Sequence, residues 1–188
     1  TQEAFDIAEI YRIPVMVLGD GMIGQMMEPV EFGTYKRREV PKKPWASTGT
    51  EGKRDPNIIN SLYIDADDLE RENLDMQRCY QEITKYETRA EVTNAEDCDI
   101  LVVAYGTTAR IVKNVIKMGE EDGLKIGLVR PITLWPYPDK EVAKYAHQDS
   151  VKAVFSVELS LGQMVDDVKI AVNGEKPANF DIWVSEKN

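Results

Sequence analysis

Histidine and cysteine are nearly missing from this chain, with one His and two Cys in 188 residues. The two thiols, Cys79 and Cys98, form no CxxC pair, and His147 stands far downstream, so the chain alone has no ligand set for a zinc knuckle or an iron–sulfur cluster. Cys79 falls in a helical pattern and Cys98 just before an apolar run; both read as inert thiols of a reducing compartment. Positive charge is also scarce. A net charge of −10 denies the protein the basic face that nucleic acid needs, and it disfavours an anionic membrane surface. No apolar run approaches the roughly 18 residues of a membrane span. The opening TQEAFDIAEIYR has neither a basic nor an apolar leader pattern. The expectation is a cytoplasmic protein with no nucleic-acid or membrane partner. Catalytic signatures are missing as well: there is no GxSxG and no Walker loop, and His147 has no carboxylate or nucleophile near it in sequence. No residue reads as catalytic or as a metal ligand.

What is present is an α/β pattern, with 43% hydrophobic residues to build a core. The stretch DILVVAYGTTARIVKNVIKMGEEDGLKIGLVRPITLWPYP, from Asp99 to Pro138, has two apolar runs that end in polar turns, with an amphipathic segment between. This predicts a strand at 100–105, a helix with Ile111, Val112, Val115 and Ile116 on one face, and a strand at 124–129. The right-handed crossover rule makes those strands parallel. A helix from Pro138 to about His147, a strand at 151–157 and a helix with Leu161, Met164, Val165, Val168 and Ala171 continue the alternation, and a short strand is expected at 180–184. The fold class is therefore three-layer α/β/α with a mostly parallel sheet.

Upstream, Ala4, Ile7, Ala8 and Tyr11 give a helical period, followed by VMVL at 15–18 as a strand. A helix and one uncovered strand cannot make a domain, so residues 1–28 read as the tail of an upstream domain. Residues 29–60, punctuated by Pro29, Gly33, Pro41, Pro44, Gly49, Gly52 and Pro56, read as an extended linker, and 61–188 as the α/β domain. Within the linker, Trp45 reads as a packing anchor and the basic cluster Lys36, Arg37, Arg38, Lys42 and Lys43 as solvated linker rather than a dedicated anion site. Asp65 to Glu87 is the best helix, with Asp67, Asp68 and Glu70 in its first turn and Leu69, Met76, Tyr80 and Ile83 on one face.

The candidate site follows from the parallel strands, whose shared carboxyl edge is where open α/β sheets bind ligands. Gly106, Thr107, Thr108, Arg130 and Glu158 should all emerge there. Gly106 to Thr108 sit where a strand becomes a helix, an arrangement that either binds an anion or caps the helix with a threonine. Arg130 adds a cation and Glu158 its possible ion-pair partner. Gly19, Gly21 and Gly24 in GDGMIG nominally match a dinucleotide loop, and Gly19-Asp20-Gly21 matches the start of a thiamine diphosphate magnesium motif. Pro29 and the lack of a suitably spaced Asn argue against both, leaving a tight turn.

These residues carry a family resemblance. GDGMIGQMMEPVE at 19–31, KPWASTGT at 43–50, NIINSLY at 57–63, DILVVAYGTTARI at 99–111, GLVRPITLWPYP at 127–138 and ELSLGQMVDDV at 158–168 together resemble the α subunit of the 2-oxoacid:ferredoxin oxidoreductases, 2-oxoisovalerate type. The resemblance implies a transketolase C-terminal-like domain and the C-terminal part of a thiamine diphosphate enzyme that decarboxylates a 2-oxoacid, forms acyl-coenzyme A and reduces ferredoxin. It also implies that thiamine diphosphate, magnesium and iron–sulfur clusters belong to β and γ or ferredoxin-like subunits, with no cofactor held by this chain alone and a structural, assembling role for the domain. A stand-alone anion-binding module and the corresponding domain of a 2-oxoacid dehydrogenase are the alternatives. At 181–188, DIWVSEKN departs from the family's glycine-rich continuation.

Overall fold

Leu101 and Val103 point to one side of their strand and Val102 and Ala104 to the other, and all four are buried, the pattern of a strand covered on both faces. The computed structural model describes residues 1–172. Its elements in chain order are α1 (Gln2–Tyr11), α2 (Gly21–Gln25), α3 (Ala66–Glu87), β1 (Ala90–Thr93), β2 (Ile100–Ala104), α4 (Gly106–Glu121), β3 (Ile126–Pro131), α5 (Asp139–Ala146), β4 (Ala153–Val157) and α6 (Met164–Val172). By contacts the chain divides into two units, one made of Thr1–Leu18 and Glu28–Ile83, the other of Gly19–Met27 and the described residues from Thr84 onward.

The second unit holds a sheet in the order β1-β3-β2-β4. β2 is central and parallel to both β3 and β4, with Val103 opposite Val129 on one side and Ser156 on the other. β1 closes one edge antiparallel to β3, pairing Ala90 with Pro131 and Glu91 with Arg130. α4 covers one face, packing Ala109, Val112 and Ile116 on Val102, Ala104, Ile126 and Leu128. α5 and α6 cover the other, where Val142, Ala146, Met164, Val168 and Val172 meet Leu101, Val103, Val129 and Val154. The three-layer α/β/α architecture and its mostly parallel sheet are as the sequence pattern requires. Each fully buried Val or Leu contributes about 1.5–3 kcal/mol, so the fold is anchored on these two faces.

Several expectations need correction. VMVL at 15–18 forms no strand: Met16, Val17 and Leu18 are exposed, and no described strand pairs with them to satisfy their backbone groups. The strand expected at 124–129 lies two residues later, and its last residue, Pro131, is tolerated because it needs no ladder donor there. β1 is an additional strand. Leu161 precedes α6 rather than lying on its face and is exposed. Leu69, Met76 and Tyr80 of α3 are likewise exposed, and only Ile83 of that stripe is buried. The strand expected at 180–184 lies outside the described residues.

In the first unit part of the basic stretch is tied to α1, through Arg37, Arg38 and Lys43, while Lys36, Arg37 and Lys42 stay exposed, as a solvated linker would leave them. Asp6 is fully buried and accepts hydrogen bonds from the Tyr35 hydroxyl, the Arg37 guanidinium and the Arg38 backbone N–H. The Arg38 N–H first, and then Arg37, hold its carboxyl below the usual carboxylate range. Lys43 pairs with Glu9 at 2.9 Å. Trp45 takes the Arg12 guanidinium over its ring, 4.3 Å from the centroid, in keeping with an anchoring role.

Candidate functional site

The register puts the ends of β2, β3 and β4 at one edge: Ala104 stands opposite Val157, and Arg130 follows the Val103–Val129 pair. Gly106 to Thr108, Arg130 and Glu158 therefore do emerge together. Their partners differ from those the sequence suggested.

α4 begins at Gly106 with Tyr105 as N-cap, and no side chain at that position makes a capping bond. Neither threonine caps the helix with its own oxygen. The Thr108 hydroxyl donates to the Tyr105 carbonyl at 2.6 Å. The Thr107 N–H donates to Asp20 Oδ2 at 3.0 Å and the Thr107 hydroxyl to Asp20 Oδ1 at 2.9 Å. The α4 N-terminus thus does attract an anion, and the anion is a carboxylate of the same chain. Asp20 also caps α2, accepting the Ile23 N–H at 2.8 Å. That bond, and then the Thr107 hydroxyl, hold its carboxyl below the usual range.

Arg130 does not pair with Glu158. Its guanidinium donates to Glu91 Oε2 on β1 at 2.6 Å, and Lys113 of α4 donates to the other oxygen of the same carboxylate. These two cations, Lys113 foremost, lower the Glu91 carboxyl against the opposing effect of burial. Glu158 is buried, at 3% exposure, and serves α6 instead. Its carboxylate accepts the Ser160 hydroxyl and the backbone N–H groups of Gln163, Met164 and Val165. Three of the donors orphaned at the start of that helix are thereby satisfied.

Sequence reasoning missed Glu91, because β1 was not foreseen, and Asp20 in this role, because its partner is 87 positions away. The Tyr137 hydroxyl near the same edge is buried without a hydrogen-bond partner, and its burial, with Asp167 and Glu158 nearby, pushes its pKa well above the ordinary phenol value. Away from the edge, His147 Nε2 donates to the Val172 carbonyl. Cys98 is buried, and that burial raises its thiol pKa; Cys79 donates to the Tyr11 carbonyl. Among the described residues no group of three or more His, Cys, Asp or Glu side chains is placed to hold a metal ion. No described helix is long and apolar enough to cross a membrane.

Comparison with known proteins accounts for this architecture. Residues 98–184 match the family described as pyruvate:ferredoxin oxidoreductase core domain II. The chain is 37% identical over 171 residues to the ketoisovalerate oxidoreductase subunit VorB of Methanothermobacter marburgensis, covering 91% of this chain and 48% of that protein. It is 31% identical over 204 residues to the 2-oxoglutarate synthase subunit KorA of Methanothermobacter thermautotrophicus, covering 93% of this chain and 52% of that one. The chain thus spans about half the length of the curated relatives it matches. A solved structure of 2-oxoglutarate:ferredoxin oxidoreductase from Magnetococcus marinus, with 2-oxoglutarate, coenzyme A and succinyl-CoA bound, superposes with a TM-score of 0.66 at 20% identity, covering 95% of this chain and 35% of that one, and so shares the fold. Residues 98–184 thus match pyruvate:ferredoxin oxidoreductase core domain II, and along most of its length the chain is similar in sequence to subunits of ketoisovalerate oxidoreductase and 2-oxoglutarate synthase.

Proposed function

We propose that this chain is part of the α subunit of a thiamine diphosphate-dependent 2-oxoacid:ferredoxin oxidoreductase that acts on 2-oxoisovalerate or a similar branched 2-oxoacid. The overall reaction takes the 2-oxoacid and coenzyme A to acyl-coenzyme A and carbon dioxide, and its two electrons pass to ferredoxin. The observation that carries the substrate class is the identity to ketoisovalerate subunits, 37% over 91% of the chain, against 31% over 93% for a 2-oxoglutarate subunit.

Within that enzyme the domain of residues 61–188 assembles and supports rather than performs the chemistry. The state of the carboxyl edge supports this division. Thr107 is engaged with Asp20, Thr108 with the Tyr105 carbonyl, Arg130 with Glu91, and Glu158 with the start of α6, which leaves the polar groups at this edge to hold the fold and to meet companion subunits. Thiamine diphosphate, magnesium and the iron–sulfur clusters are assigned to β and γ or ferredoxin-like subunits, and the complex to the cytoplasm. A free-standing anion-binding module fits less well, since the anion position at α4 is filled from within.

The test is to co-purify the full-length subunit with its companions and measure coenzyme A-dependent ferredoxin reduction with 2-oxoisovalerate, 2-oxoglutarate and pyruvate. The expected result is the highest kcat/KM for 2-oxoisovalerate. Preference for 2-oxoglutarate would overturn the substrate class, and no coenzyme A-dependent turnover with any 2-oxoacid would overturn the function.

A further inference from the structure

Asp20 makes more contacts than the turn around it requires. Its bond from the Ile23 N–H is a local cap that spans three residues. The same carboxylate takes both the N–H and the hydroxyl of Thr107, 87 positions along the chain. The turn that receives it is shaped to do so. Gly106 adopts φ +59°, open to glycine at no steric cost, and a Cβ built there would stand 2.9 Å from Asp20 Oδ2. α4 in turn has no cap of its own, because Tyr105 supplies no capping side chain and the Thr108 hydroxyl donates backward to the Tyr105 carbonyl. A helix of 16 residues thus depends on an acceptor from a distant segment for its positive end.

We propose that Asp20 is a positioning residue whose carboxylate is the built-in anion of the β2–α4 turn, clasping residues 19–27 onto the carboxyl edge of the sheet. One carboxylate joins the starts of two helices, α2 and α4, and the Arg110 guanidinium adds a contact to Met26 Sδ at 3.6 Å between the same two segments. Removing that carboxylate while leaving the donors in place creates a vacancy of defined chemistry. A small free carboxylate, with the same charge and planar oxygen pair, will occupy it in place of the side chain.

Hydrogen exchange on the full-length protein tests this, with D20A, D20N, T107V and T107S compared to wild type. D20A is expected to speed exchange of the Ile23 and Thr107 amides by about fivefold or more, the scale of a lost helix cap, with β2 and β3 unchanged. T107S, which keeps the hydroxyl, should behave as wild type, while D20N and T107V fall between. Formate or acetate should slow D20A exchange at the same amides, and chloride at equal ionic strength should not. Unchanged exchange in D20A, T107S as loose as T107V, or no protection of D20A by formate would each overturn the clasp. Should D20A loosen the whole sheet, T107V decides: faster exchange confined to 19–27 and 107–109 supports the clasp, and unchanged exchange there overturns it.

Discussion

Removing the Glu158 carboxylate is expected to unfasten α6 and to be felt in the stability of the whole second unit. Glu158 is 3% exposed, and its oxygens hold three backbone donors, Gln163 at 3.1 Å, Met164 at 2.9 Å and Val165 at 3.0 Å, besides the Ser160 hydroxyl. In Glu158→Ala the Gln163 amide regains water, but those of Met164 and Val165, residues 4% and 2% exposed, do not. A lost cap costs about 1–2 kcal/mol and a buried unpaired donor about 1–3 kcal/mol, so with partial relaxation the total is about 3 kcal/mol. Glu158→Gln retains one acceptor oxygen and turns an NH2 toward the remaining donors, at a cost of about 1 kcal/mol. The assay is urea denaturation of the full-length subunit, with hydrogen exchange at 164–168 reporting α6 itself. An unfolding free energy for Glu158→Ala within about 0.5 kcal/mol of wild type, or Glu158→Gln as damaging as Ala, would refute the reasoning. A double-mutant cycle separates this role from the ion pair expected on sequence. Glu158 and Arg130 should combine additively within about 0.5 kcal/mol, whereas Glu91 and Arg130 should couple.

Gly127→Ala should destabilise by about 3 kcal/mol in the same assay, because the new methyl would lie 2.7 Å from Ala95 Cα and 2.9 Å from Cys98 Sγ, atoms that cannot swing aside. Gly119→Ala meets the movable tip of Ile126 at 2.7 Å and gains helix propensity, so its cost should stay below about 1 kcal/mol. Arg130→Ala should cost less than about 1 kcal/mol, since Arg130 and Glu91 are each more than a third exposed and solvent screens the pair. The Glu91 carboxyl is depressed in the fold, so its contribution is fully present above the usual carboxylate range and is lost as pH falls through the lowered value; the stability gap between wild type and Glu91→Gln should close on acidification. Cys98, buried with a raised thiol pKa, should resist iodoacetamide in the native protein and react once urea unfolds it; rapid native labelling would contradict its position.

The elements most legible in the sequence were those whose signal is local. β2 and β3, covered on both faces, read as unbroken apolar runs closed by Gly106 and by Pro131, and α3 was placed to within a residue because its acidic first turn marks the start. The apolar run at 15–18 misled for the same reason, since a strand exists only where a neighbour pairs with it. β1 is the converse case: AEVT has little strand character of its own and is extended because β3 offers it an open edge. Missing β1 meant missing Glu91, and with Glu91 out of view Arg130 was matched to the wrong carboxylate. The types of residue at the carboxyl edge were therefore readable, while their pairings depended on contacts as long as the 87 positions from Asp20 to Thr107. The pairings follow one physical rule that local pattern hides. α4 and α6 both start at this edge, and each takes a carboxylate of the chain at its N-terminus. Asp20 serves the one and Glu158 the other, so the helix ends where an α/β sheet would ordinarily take an anion are satisfied by carboxylates of the chain itself.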